Sequence, residues 1–135
     1  MSSENTPALI GSSPYFFIRD LAASLDYYCD VLGFKRPHLW GVPPTFAMPD
    51  RDGFIFMLKQ VEDVSTIMPN ETRGGLWDAY VWVRNLRALY AEFEANGAEF
   101  AYGLTIQDEY DNIEFAIRDP DGYVIAFGQG VEDEE

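Results

Sequence analysis

Two short runs hold the residues best suited to chemistry. Asp78, Tyr80 and Trp82 occupy alternate positions in one, and Tyr15, Phe17 and Arg19 do so in the other. Alternate side chains of a β-strand share a face, so each run presents a pair of rings with a charged group beside them. Rings of this kind stack on flat organic molecules and attract cations, and a carboxylate can orient them. Residues that make and break bonds are scarce. His38 is the single histidine and Cys29 the single cysteine. Cys29 shares an apolar helix face with Leu21, Leu25, Tyr28 and Leu32, and with no histidine in local reach it reads as core rather than nucleophile. His38 reads as an edge or loop residue near a second strand, not as a ligand.

The elements that position these runs come in two copies. Asp52-Gly53 followed by Phe54 to Leu58 echoes Asp121-Gly122 followed by Tyr123 to Phe127. This alignment pairs Met57 with Ala126. Phe16 to Leu21 likewise echoes Val81 to Leu86, with a one-residue gap before the matching Gly33 and Gly97. A repeat defines equivalent positions before any role is assigned. Strands are expected at 14–19, 35–40, 45–49 and 54–59 with a helix over 22–32, and again at 77–83, 99–105, 112–118 and 123–127 with a helix over 86–96. Pro120, Asp121 and Gly122 supply the turn into the last strand.

Length and composition fix the scale. The 135 residues suit one domain with a substantial core. Its expected division is a flexible 1–12, one domain over 13–129, and an acidic tail at 130–135. Within the domain, module 1 covers about 13–60, a polar linker about 60–75, and module 2 about 76–129. The net charge is -14, of which ten remain without the four acids Glu132 to Glu135. Such a chain repels nucleic acid and anionic lipid and attracts cations. A single cysteine excludes an intramolecular disulfide and fits a cytoplasmic setting. Residues 1–7 lack the features of a signal peptide, and no run has the apolar length of a membrane span.

The strand followed by Arg19-Asp20-Leu21, the helix containing Ser24, Tyr27 and Tyr28, Leu32-Gly33-Phe34, and the closing Asp119-Pro120-Asp121-Gly122 resemble the vicinal oxygen chelate superfamily over about 13–129. That superfamily includes glyoxalase I, extradiol dioxygenases, and the bleomycin and fosfomycin resistance proteins. The resemblance implies an α+β fold in which two βαβββ modules curve around a cavity with helices on the outer face. It also implies a homodimer. Metal-dependent members place His, Glu or Gln ligands at positions that correspond to Ser13, Met57, Asp78 and Ala126. Only Asp78 is a good donor, and an open catalytic site needs about three.

Strand alternation then turns Tyr15, Phe17, Ile55, Met57, Asp78, Tyr80, Trp82 and Ala126 toward the cavity, with Trp40 as a further wall. Phe16, Ile18, Phe54, Phe56, Leu58, Val81, Val83, Ile125 and Phe127 are left to pack under the helices. Trp77 falls on the face opposite Trp82 and is expected in the core. Glu114 lies near the cavity on an undetermined face. The expectation is a metal-free, cofactor-free bacterial protein that, like bleomycin resistance proteins, binds a planar and cationic small molecule for antibiotic resistance. The alternative is a glyoxalase-like lyase or extradiol-type dioxygenase that holds a divalent metal through Asp78 and a nonstandard set including Glu114 or His38. A third reading is a regulatory domain whose cavity side meets a partner protein.

Overall fold

The computed structural model describes residues 6–134. The expected loose ends at 1–5 and 135 lie outside them. The chain runs β1 (Tyr15–Ile18), α1 (Leu21–Asp26), β2 (Leu39–Trp40), β3 (Phe46–Ala47), β4 (Asp50–Arg51), β5 (Phe54–Ile55), β6 (Met57–Gln60), β7 (Ala79–Trp82), α2 (Leu86–Ala95), β8 (Glu99–Gln107), β9 (Asn112–Arg118) and β10 (Val124–Gly130). Each half builds its own sheet, β1-β6-β3-β2 in the first and β7-β10-β9-β8 in the second, while β4 and β5 form a separate hairpin. The architecture is α+β with two modules.

The register keeps the equivalence read from the repeat. In the parallel pair β1 and β6, Tyr15 lies opposite Met57. In the parallel pair β7 and β10, Tyr80 lies opposite Ala126. The helix starts match too, because the Leu21 N–H donates to the Gln60 side-chain oxygen and the Leu86 N–H to that of Gln129. Each side chain satisfies an amide that the first turn of a helix leaves without an internal partner. Asp20 caps α1 through the Ala23 N–H, and the helix continues as a wider π-type turn over Tyr27–Val31. Gly33 ends it at φ 78°, a conformation that suits a residue without Cβ.

One continuous core takes residues from both modules. Phe16, Ile18 and Leu58 from the first sheet, Leu21, Leu25, Tyr28 and Leu32 from the first helical segment, Leu86 and Phe93 from α2, and Phe115, Ile117, Ile125 and Phe127 from the second sheet all belong to it. The turn before β10 locks the halves together. Phe16 stacks on Tyr123 at 4.2 Å, the Tyr123 hydroxyl donates to the Phe17 carbonyl at 2.6 Å, and the buried Asp121 accepts from the Arg19 backbone and Nε. Asp119 accepts from the Tyr28 hydroxyl and from the Asp121 and Tyr123 amides.

Two local expectations are corrected. Phe54, expected under a helix, is 55% exposed, because its strand pairs only with β4 in the small hairpin. The run 35–40 gives only a two-residue strand, joined by an isolated bridge from Lys35 to Asp50. The polar stretch after β6 contains two short 3-10 turns, Val64–Thr66 and Asn70–Arg73. At the C-terminal end, Val131–Asp133 form another such turn and Glu134 pairs with Arg87.

Candidate functional site

The face of the second sheet turned away from the helices is built from large rings over a floor of small residues. Register aligns Tyr80, Ala126, Ala116 and Tyr102 in one row, and Trp82, Gly128, Glu114 and Thr105 in the next. Ala116, Val124 and Ala126 are buried beneath Trp77, Tyr80 and Tyr102. Gly128 leaves room for the Tyr80 phenol, which a Cβ at that position would meet. Trp82 packs 4.9 Å from Tyr80 and remains 64% exposed. Trp77 is corrected to this same face. It lies 4.8 Å from Tyr80 and its Nε1 donates to the Tyr102 hydroxyl. It precedes β7, so strand alternation does not govern it.

Glu114 is the polar centre of this face. It is fully buried, and its carboxylate accepts from Tyr80 at 3.0 Å, Tyr110 at 2.7 Å and Tyr102. All three partners are neutral hydroxyls. Asn112 donates in turn to the Tyr80 oxygen. Burial, followed by the Glu114 charge against relief from Asn112, pushes the Tyr80 phenol up to about 12, and burial and Glu114 push Tyr102 and Tyr110 up as well. These phenols are therefore neutral donors at physiological pH. The alternation of buried Ile113, Phe115 and Ile117 on the helix side places Glu114 opposite them, a signal present in the sequence.

The corresponding face of the first sheet carries Phe17, Lys59, Phe46 and Trp40 in one cross-strand row, with Tyr15 and Met57 in the next. Tyr15 lies 5.8 Å from Phe17 and 6.4 Å from Phe46, and Trp40 lies 5.6 Å from Phe46. Lys59 donates to the Thr45 hydroxyl in their midst. His38 is exposed and sits edge-on to Trp40 at 5.0 Å. Ile55 stands apart in the β4–β5 hairpin. A shallow depression of about 440 Å³ where the modules meet brings Tyr15, Phe17 and Asp78 together with Met68 and Arg73.

The positions that would hold the family's metal do not fit one. Both Asp78 oxygens are engaged, one by the Asn70 amide at 2.8 Å and the other by the Val124 amide at 2.9 Å. The carboxylate thus pins the turn at Asn70 to β10. Met57 offers a thioether and Ala126 no donor, and Ser13 is exposed. Among the described residues no three His, Cys, Asp or Glu side chains come together in a group able to hold a metal ion. His38 lies in the loop before β2 at the edge of the first sheet and Glu114 on β9 of the second, so they do not rebuild the set.

A cleft of about 630 Å³ lies on the helix side instead. The β4–β5 hairpin, α2 and one end of the second sheet enclose it, with Phe54, Arg84, Leu89 and Phe127 among its walls. Sequence reasoning did not foresee it, because it exists only where one module leans on the other. No helix among the described residues is long and apolar enough to cross a membrane.

Similarity to known proteins agrees with this architecture. A glyoxalase/bleomycin resistance protein/dioxygenase domain from Frankia sp. EAN1pec shares 25% identity over 91% of this chain and 99% of its own, with a TM-score of 0.71. The bleomycin-binding protein of bleomycin-producing Streptomyces verticillus, solved with copper(II)-bleomycin, shares 20% identity over 93% and 99%, with a TM-score of 0.69. TioX from Micromonospora sp. ML1 shares 21% over 88% and 98%, with a TM-score of 0.68. Among curated proteins none matches the sequence. The model of the Glyoxalase/Bleomycin resistance protein/Dioxygenase superfamily matches residues 13–127, and the chain belongs to that superfamily.

Proposed function

We propose that the protein is a metal-free binder of planar organic cations, acting by sequestration rather than catalysis. The observation that carries this reading is the second-sheet face, where exposed Trp82 stands beside Tyr80 above the buried Glu114 carboxylate. Stacking on these rings would hold a flat molecule. The carboxylate, engaged only by neutral phenols, would favour a positive one. Asp78, expected to orient the ligand, has both oxygens committed to backbone amides, so Glu114 takes that role. The superfamily relative that binds copper(II)-bleomycin supports the ligand class. A resistance function in a bacterial cytoplasm belongs to the same proposal. Exposed Tyr15, Phe17 and Trp40 on the other sheet are surface that a second copy of the chain would cover, and a homodimer completes the proposal.

The test is tryptophan fluorescence titrated with copper(II)-bleomycin and with simple planar cations such as 9-aminoacridine. Saturable quenching is expected, with most of its amplitude lost in Trp82→Phe. Failure of every planar cation to change the emission sinks the proposal.

A further inference from the structure

The internal repeat places the helix-side cavity opposite a filled counterpart. At one junction, the turn of module 2 docks on module 1: Tyr123 stacks on Phe16, and the buried Asp121 carboxylate binds Arg19. By the repeat alignment the equivalent residues at the other junction are Phe54, Val81, Asp52 and Arg84. There the match is open. Phe54 and Arg84 are exposed, and among the described residues the exposed Asp52 side chain pairs with Arg51 alone and the Arg84 guanidinium makes no hydrogen bond or ion pair. The space that Tyr123 and Asp121 fill at the first junction is, at the second, the cleft of about 630 Å³.

We propose that this cleft is a second ligand site, for an aryl carboxylate. The filled junction supplies the template: an aromatic ring against the strand residue Val81, and a carboxylate on Arg84 in the place Asp121 holds on Arg19. The apolar walls from Leu89, Phe93 and Phe127 suit a ring of one or two cycles, and the volume lies in the range of small-molecule pockets. A guanidinium recognises a carboxylate through paired N–H donors. The hairpin that overhangs the cleft is anchored from below, since Arg51 donates to both Glu92 oxygens and to the Leu32 carbonyl. Its frame is therefore held while the tip stays open. Asp52 and Asp133 border the same mouth, and of the two arginines that line it Arg51 is already held by Glu92 and the Leu32 carbonyl, so an acid is held chiefly by Arg84.

The cleft opens on the helix side, with Trp82 of the second-sheet aromatic face along its rim, and the inference does not rest on the binding reading above, because it concerns an acid held by Arg84 rather than a cation. Its test is calorimetric titration of the full chain with 2-naphthoate and with its neutral counterpart 2-naphthalenemethanol. Saturable naphthoate binding is expected, weakened about tenfold or more by Arg84→Gln while the alcohol is unaffected. The double variant Val81→Phe, Phe54→Tyr copies the filled junction and is expected to abolish binding of both. The proposal is overturned if naphthoate does not bind saturably, if Arg84→Gln leaves its affinity intact, or if the double variant, shown folded by its near-ultraviolet circular dichroism, still binds. If the double variant does not fold, Arg84→Gln alone decides.

Discussion

Asp119 illustrates how far a residue's role can sit from its sequence motif. In an Asp-Pro-Asp-Gly turn it serves the local backbone, and it does accept the Asp121 and Tyr123 amides. It also reaches across the molecule to the Tyr28 hydroxyl at 2.8 Å. Burial pushes its carboxyl from 3.8 up to about 7, against the pull of the Tyr28 and backbone hydrogen bonds. Between those two values the folded state keeps a proton that the unfolded state has released. Stability from this group therefore falls as pH rises from about 4 through about 7, by on the order of a few kcal/mol. Thermal melts across that window should show the decline, and Asp119→Asn, which cannot titrate, should flatten it. A melting profile equally steep in the variant would assign the pH dependence elsewhere. Other residue roles were partly legible. Alternation put Tyr80 and Trp82 on one face. It could not anticipate that the two Asp78 oxygens would be occupied, since Asn70 lies in a linker without periodicity.

At the level of elements, the repeat carried most of the fold. Aligning Met57 with Ala126 identified equivalent positions, and the two parallel strand pairs keep that equivalence in their register, with Tyr15 opposite Met57 and Tyr80 opposite Ala126. What stayed hidden was the division of the first half. Its second and third strands are only two residues each, and Pro43, Pro44 and Pro49 interrupt the ladder where donors would be needed. The junctions between elements were also illegible, as they join residues about a hundred positions apart. Among these, the hydrogen bond from the Tyr123 hydroxyl to the Phe17 carbonyl joins β1 to the start of β10. Tyr123→Phe keeps the stacking on Phe16 and removes only that bond. It should lower the unfolding free energy by about 1 kcal/mol, read from urea denaturation at constant m-value. A loss near zero would show that water replaces the hydroxyl and that stacking alone docks the turn.

At the scale of the whole molecule, the chain invests its apolar residues in one core shared by two modules and leaves aromatic rings exposed on the faces beyond it. Large exposed rings in a small domain mark a place where something else binds. In the proposed function the strongly negative overall charge favours a cation there, and the committed oxygens of Asp78 weigh against a metal. The most direct measurement of this account is native mass spectrometry of the purified protein, alone and with zinc, nickel, manganese, iron(II) or 9-aminoacridine, with Asp78→Ala alongside. The account predicts a dimer that takes up the planar cation and binds no metal stoichiometrically. About one metal per subunit, lost in Asp78→Ala, would contradict it and make a metal-dependent lyase or dioxygenase the working description.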